Sequence, residues 1–427
     1  MSSSAKHAVI VAVGTELLTP HKIDTNSLFL TERLNNIGVE VIQKLVSTDE
    51  PEALARALEY AIANSELVLV TGGLGPTDDD RTRDVTADIL RLPLVPDASL
   101  LGLIEERFAS RGLAMPKANR RQAEVPRGAV VIDNPRGTAP GLLLTDDKSK
   151  TKIILLPGPP RELKPMFESV IMRGLIGDAG GAHVYRRVVR TTGQTESHVD
   201  ELAQPLYRVW STRVPTISTT VLASLGQIDL HLTLVGADRV VSNAALDVAV
   251  DELKVKLGSL IYSADGETLP EVVGALLVGN NLTVGVAESC TGGLIASRLT
   301  DVPGSSAYFQ GGLTTYSNDT KVSVLGIEEE LLRQHGAVSE PVAKAMATKT
   351  RLLLDSDYAL GVTGIAGPGG GAPDKPVGTV CLALAGPDEF LKVRRLSLPG
   401  ERERVKFQAS QNALDLLRRA LIRPARP

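Results

Sequence analysis

The chain has 427 residues, 43% of them hydrophobic and 22% charged, enough for about three ordinary domains with real cores and unlike a disordered protein. Its 46 basic and 50 acidic residues leave a formal charge of −4, which argues against a protein whose main work is gripping nucleic acid, because that affinity rests on neutralising phosphates. Two cysteines, Cys290 and Cys381, are too few for a disulfide framework and point to a reducing cytoplasm.

In chain order, Met1 to Lys6 leads into the apolar run His7 to Val13, closed by Gly14 and Glu16. That run is too short for a membrane span and lacks the pattern of a signal peptide. Residues 7 to about 170 then alternate strand-like and helix-like segments. Ala8 to Val13 reads as a buried strand. Asn26 to Ile37 reads as a helix stopped by Gly38, Val39 to Val46 as a strand, Pro51 to Asn64 as a helix, and Leu67 to Val70 as a strand running into Thr71-Gly72-Gly73. Such alternation predicts a parallel sheet covered on both faces, with ligands beyond the carboxyl ends of its strands. After a glycine-rich loop at residues 177 to 181, a small α+β module is expected. It has strands at Val184 to Thr191, Pro215 to Ser218 and Gln227 to Val235, and helices at Glu196 to Leu206 and Ser242 to Leu257. Alternation returns from about residue 265. There the helix Leu269 to Val278, the strand Leu282 to Ala287 and the helix Leu294 to Leu299 are followed by strands Tyr358 to Val362 and Thr379 to Ala385. An amphipathic helix, Glu403 to Ile422, ends the pattern.

Four polar loops fall at strand ends in the first region: Gly14 to Leu18 with Asp24 to Asn26, Thr71 to Thr82, Asn134 to Gly141, and Leu156 to Glu162. Glycines let backbone N–H groups approach an anion, and threonines add donors. The carboxylates Asp78, Asp79 and Asp80 are badly placed for bare phosphate but suit a divalent ion such as Mg²⁺ that bridges to phosphate oxygens. A tight turn followed by helix-capping aspartates is the alternative. The loop is not a P-loop, since it lacks the Gly-Lys-Ser/Thr ending.

The sharpest local signal is Ala287-Glu288-Ser289-Cys290-Thr291-Gly292-Gly293, which ends a buried strand and opens a helix. A nucleophile there is presented above the sheet, and amides at the helix N-terminus are available to a developing oxyanion. Either Ser289 or Cys290 could attack. Cysteine is the better intrinsic nucleophile but needs a base such as His, and the nearest downstream is His335. Serine can use a lysine whose pKa is depressed. Lys321 is the candidate, with Tyr316 to relay or orient the proton; on spacing alone a lysine there is more often a surface residue, so spacing does not settle the pair. The glycine-rich stretch Thr363 to Gly371 reads as a further anion cradle or a flexible loop, and Arg402 and Lys406 as phosphate ligands or solvated charges.

Taken together in this order, Gly14 to Leu18, Thr71 to Thr82, Gly137 to Gly141, Leu156 to Glu162, Ala287 to Gly293, Tyr316 to Lys321, Gly336 to Glu340 and Thr363 to Thr379 resemble the CinA (competence- and damage-inducible) family over nearly the whole chain. The resemblance implies an α/β protein of three units. Residues 1–172 would form a molybdenum-cofactor-biosynthesis-like (molybdopterin-binding-like) domain with a parallel or mixed sheet. Residues 173–264 would form a KH-like α+β middle domain, and residues 265–427 an α/β amidase domain. The first is associated with hydrolysis of ADP-ribose to AMP and ribose 5-phosphate, dependent on a divalent metal and potassium. The last resembles nicotinamide mononucleotide deamidase, which yields nicotinate mononucleotide and ammonia and needs no cofactor. The implied nucleotide site holds Glu16, Asn26, Thr71, Gly72, Gly73, Gly75, Thr77, Gly137, Thr138, Pro157 and Gly158, with Asp79 and Asp80 on the metal. The implied amidase site has Ser289 as nucleophile, Lys321 as general base and Tyr316 in the site, with Thr291, Gly292, Gly293, Thr363, Gly364 and Arg402 on the substrate.

Three features depart from the family pattern. From its first strand at Val184 onward the middle segment has no Gly-x-x-Gly loop, so RNA binding is not expected. Lys406 stands where Arg is common and cannot make Arg's bidentate phosphate contact. Pro20-His21-Lys22 replaces a Gly-Gln-apolar stretch. The expected partners are the two nucleotides, with no membrane or nucleic acid, and the expected assembly is a homodimer. Two rival readings are a non-catalytic nucleotide sensor of the competence and recombination machinery, and a molybdopterin-binding protein.

Overall fold

A computed structural model describes residues 6–176 and 183–422; the loop expected at residues 177 to 181 lies outside them. The chain divides into two compact units, Met1–Tyr185 with Leu234–Ala244, and Arg186–Thr233 with Ala245–Pro427.

In the first unit the order is β1 (Lys6–Val13), α1 (Thr25–Asn36), β2 (Val39–Ser47), α2 (Pro51–Asn64), β3 (Leu67–Thr71), α3 (Thr82–Leu90), β4 (Leu94–Pro96) and α4 (Ala98–Ala109). Then come β5 (Glu124–Pro126), β6 (Val130–Ile132), β7 (Gly141–Thr145), β8 (Lys152–Leu156) and α5 (Pro160–Met172). Six strands form one sheet in the order β2-β1-β3-β8-β7-β6. The first four are parallel, while β7 pairs antiparallel with β8 and the edge strand β6 antiparallel with β7. The alternation of β1 explains both layers, since successive side chains point to opposite faces. Val9, Val11 and Val13 pack with Leu54, Leu58 and Ala61 of α2. Ala8 and Ile10 pack with Leu30 and Leu34 of α1 and with Leu163, Met166 and Phe167 of α5.

Next along the chain is a four-stranded sheet, β10-β11-β9-β12, made of β9 (His183–Thr192), β10 (Ile217–Ser224), β11 (Gln227–Gly236) and β12 (Ile261–Ser263). It is accompanied by α6 (Glu196–Trp210) and α7 (Arg239–Leu257). Trp210, the only tryptophan of the chain, is fully buried, and its indole N–H donates to Glu252 at 2.6 Å. The same Glu252 binds Arg213 at 2.8 Å.

Continuing along the chain are α8 (Leu269–Gly279), β13 (Val284–Glu288), α9 (Leu294–Thr300), β14 (Phe309–Thr314), α10 (Asn318–Leu325), α11 (Glu329–His335) and α12 (Glu340–Leu353). After them come β15 (Tyr358–Gly364), β16 (Thr379–Ala385), β17 (Leu391–Ser397) and α13 (Arg402–Leu421). The sheet order is β14-β13-β15-β16-β17, with β13 parallel to both neighbours and the last two strands antiparallel. Large residues face α8 and α13: Val284 and Val286, Leu360 and Val362, and Val380, Leu382 and Leu384 share their core. Small ones, Cys381, Ala383 and Ala385, pack against Ala343 and Ala347 of α12. Cys381 is thus a small buried core residue.

Candidate functional site

Three parallel strands end side by side in the second unit, and the residues just past their ends are stitched together. The Ser289 amide donates to Val362 O at 2.9 Å, and the Thr315 amide to Glu288 O at 2.8 Å. This brings Ser289 after β13, Tyr316 after β14, and Thr363 near the end of β15 into one cleft of about 270 Å³. Ser317 caps α10, its hydroxyl accepting from the Thr320 amide at 3.1 Å, and so fixes Lys321 in the next turn.

Lys321 is 1% exposed, a rare state for a lysine. Its Nζ lies 3.1 Å from Ser289 Oγ, 2.9 Å from Thr315 O and 3.3 Å from Tyr316 O. Burial pulls its pKa below that of an ordinary lysine. In the neutral amine, two N–H bonds directed at the carbonyls leave the lone pair facing the serine hydroxyl. Cys290 is 5% exposed, with its thiol pushed up to about 12 by burial. It therefore stays a thiol at neutral pH, and the lysine addresses its neighbour.

The turn after Ser289 differs from the expected oxyanion cradle at the helix end. Gly292 and Gly293 have φ of 64° and 91°, the left-handed region that side chains disfavour. This bend returns the chain over Glu288, which is 1% exposed. Its carboxylate accepts from the amides of Gly293, Ile295 and Ala296 at 3.1, 3.1 and 2.8 Å. The N-terminus of α9 is thus already filled by a carboxylate. Among the described residues, the Cys290 and Thr291 amides remain without an acceptor. The signal for Glu288 was a carboxylate ending an otherwise apolar strand, just before the nucleophile.

Other expected residues fall as follows. Tyr316 does not place its hydroxyl on the dyad. That group, on a side chain 57% exposed, accepts from Arg402 at 2.7 Å, and only the main-chain carbonyl meets Lys321. Arg402 also donates to Gly367 O at 2.9 Å and lines the cleft. Thr363 and Gly364 line it too, but the Thr363 hydroxyl donates to Ala337 O at 2.8 Å. Thr291, Gly292 and Gly293 do not line it; Thr291 is fully buried. Asn318, Ala337 and Val338 line it without having been singled out.

In the first unit a cleft of about 530 Å³ opens at the carboxyl ends of β1, β3 and β8, as the sheet topology requires. Glu16, Gly72, Gly73, Gly75, Asp79, Asp80, Gly137, Thr138, Pro157 and Gly158 line it. Asn26, Thr71 and Thr77 stand behind that surface. Asn26 donates to Gly158 O at 2.7 Å, Thr71 is a buried residue of β3, and the Thr77 amide donates to Asp80 at 2.9 Å. Sequence reasoning missed Asp49, Arg111, Arg136 and Arg161 in the lining. The two later arginines sit inside loops already read as ligand-binding; Arg111 and Asp49 carry no local signal. Three guanidinium groups therefore line this cleft together with five carboxylates, those of Glu16, Asp49, Asp79, Asp80 and Glu162.

Relatives agree with the whole length. A protein of Symbiobacterium thermophilum described as competence-damage inducible is 45% identical over 97% of this chain and 99% of its own. A CinA-like protein of Koribacter versatilis is 44% identical over 97% of this chain and 100% of its own. The chain belongs to the CinA family. Residues 266–421 match the CinA C-terminal domain, and residues 9–176 the family described as "Probable molybdopterin binding domain". Among solved structures, a competence/damage inducible protein from Agrobacterium tumefaciens is 38% identical, covering 36% of this CinA chain and 96% of its own, with a TM-score of 0.35. Among the described residues of this CinA protein, no helix is long and apolar enough to cross a membrane.

Proposed function

We propose that the second unit hydrolyses the carboxamide of nicotinamide mononucleotide to nicotinate mononucleotide and ammonia. The observation that carries this reading is the buried Lys321 amine, 3.1 Å from Ser289 Oγ and oriented by two carbonyls. Neutral Lys321 takes the proton of Ser289 as the hydroxyl attacks the carboxamide carbon. The Cys290 amide, on a residue that lines the cleft, is the donor left for the carbonyl oxygen as it gains charge. Protonated Lys321 passes its proton to the departing ammonia. Water then attacks the acyl-serine, giving a proton to the same amine, which returns it to Ser289 Oγ as the acyl–oxygen bond breaks; the released carboxyl group gives up its own proton to solvent.

In the first unit we propose metal-dependent hydrolysis of ADP-ribose to AMP and ribose 5-phosphate. Among the described residues no group of three or more His, Cys, Asp or Glu gathers as a ready-made chelate. Asp79 and Asp80 line the cleft, one Asp80 oxygen being engaged by Thr77. Mg²⁺ commonly uses one or two carboxylates, waters and the ligand's phosphate oxygens, so this donor set fits an ion that arrives with a diphosphate. When bound, such an ion polarises the phosphoryl oxygens. Arg111, Arg136 and Arg161 would hold the remaining charge. The match of residues 9–176 favours a second reading for this unit, pterin binding.

The test is to incubate the purified chain with nicotinamide mononucleotide, and separately with ADP-ribose and Mg²⁺. Wild type releases ammonia and nicotinate mononucleotide. Ser289→Ala and Lys321→Ala lose at least about a thousandfold in rate, as losses of a nucleophile or its base do, yet still cleave ADP-ribose. Asp80→Asn shows the converse. Continued ammonia release by Ser289→Ala would sink the amidase reading, and tight molybdopterin binding without ADP-ribose cleavage would favour the second reading of the first unit.

A further inference from the structure

A groove of about 970 Å³ opens off the amidase cleft and shares Ala366, Gly367 and Arg402 with it. Its wall includes Leu225, which belongs to the β10–β11 hairpin and not to the C-terminal α/β domain. We propose that this groove takes the phosphoribosyl half of the amide substrate and that Leu225 is a specificity-determining residue contributed by the middle module. The inference rests on the amidase reading and deepens it.

The hairpin tip is held firmly. Gly226 has φ of 70° and its carbonyl accepts from the Thr192 hydroxyl at 2.7 Å. A Cβ at Gly226 would come 3.0 Å from Gln411 Cγ, so the turn lies directly on α13. Gln411 accepts from Arg298 at 2.6 Å, and the Arg298 guanidinium also donates to Ser410 at 2.7 Å and lies 4.6 Å from the Phe407 ring centre. Arg298 is on α9, the helix that begins with Leu294 just past the nucleophile turn. One chain of contacts therefore ties the hairpin to the helix that follows the Ser289 turn.

The occupant follows from continuity and charge. A mononucleotide with its carboxamide at Ser289 must send its other end past Arg402, where the two spaces meet. Arg402 and Lys406 are one turn apart on α13 and share a face; both line the groove, and the Lys406 ammonium reaches to 3.6 Å from where a Gly292 Cβ would stand. Glu401 and Glu403 line it as well, so an anion is placed by the Arg402–Lys406 pair and not by a general positive field. Leu225, 38% exposed, offers the apolar surface for the sugar.

The test uses the full-length Ser289→Ala chain, which binds without turnover, titrated calorimetrically with nicotinamide mononucleotide and with nicotinamide riboside. Adding Leu225→Asp weakens the mononucleotide by about tenfold and the riboside by less than about threefold, because only the first carries a phosphate to repel. Leu225→Ala weakens both by a few-fold at unchanged melting temperature. Leu222→Asp, on the same hairpin and outside the groove, leaves both affinities unchanged. Mononucleotide affinity unaltered by Leu225→Asp, equal loss of both ligands in Leu225→Asp, or no binding by the parent overturns the proposal. Binding with the expected pattern beside a wild type that releases no ammonia would overturn the amidase reading alone.

Discussion

Lys321 has two carbonyls and one hydroxyl around its nitrogen and almost no water. Burial lowers its pKa, so the base form persists to lower pH than an ordinary lysine allows. A general base works deprotonated; the rate therefore falls as pH drops through the lowered pKa. A pH profile of ammonia release should show an acid limb below the usual lysine range of about 10.4. A limb at the ordinary value would mean that Lys321 is not the base. At this scale a buried strand opening on glycines marked the Ser289–Cys290 turn as a local pattern, but spacing chose neither Ser289 over Cys290 nor Lys321 as a partner; the family resemblance singled out that pair, because the approach of α10 to the turn is a tertiary contact. Tyr316 was legible only in part: its backbone, which meets Lys321, and its hydroxyl, which meets Arg402, serve different partners, and spacing cannot separate them. Glu288 was missed as a cap because its acceptance of three amides depends on a bend two glycines long.

At the scale of elements, α13 does the most joining. Its Asp415 and Arg418 are 6% and 3% exposed at their side chains and 2.7 Å apart, and Arg418 also donates to Ser259 O and Ile261 O. Replacing Asp415 with Ala leaves a buried guanidinium without its counter-charge, a loss of about 3–5 kcal/mol that denaturant unfolding would register. Adding Arg418→Met restores only part of it, because the two carbonyls then lose their donor. Unchanged stability in Asp415→Ala would show that the carbonyls alone satisfy the arginine. The helix itself was legible from its amphipathic pattern, as were Pro51–Asn64 and Thr379–Ala385, whose bounds coincide with expectation. The antiparallel strands β6, β7 and β17 were not. β6 has three residues, and β17, Leu-Lys-Val-Arg-Arg-Leu-Ser, is an edge strand with few buried side chains and so little hydrophobic signal.

For the whole molecule, two clefts of different character share one chain. One has guanidinium groups and paired carboxylates over a mixed sheet; the other has a buried serine–lysine pair at the ends of three parallel strands. No residue lines both, which is why each activity should survive loss of the other. The change in pattern near residue 171 suggested a boundary there and three domains, whereas the chain divides into two compact units that part at Tyr185 and Arg186, with Leu234–Ala244 counted in the first. That a hairpin from the middle module would border the amidase cleft was not legible, because it depends on a tertiary contact between Gly226 and Gln411. The single indole of the chain, at Trp210, has a consequence for anyone who follows unfolding by light. Its emission comes from one position, closed off from solvent and bonded to Glu252. A red shift on denaturation therefore times the opening of the module that carries the hairpin, and circular dichroism, which averages over every helix, times everything else.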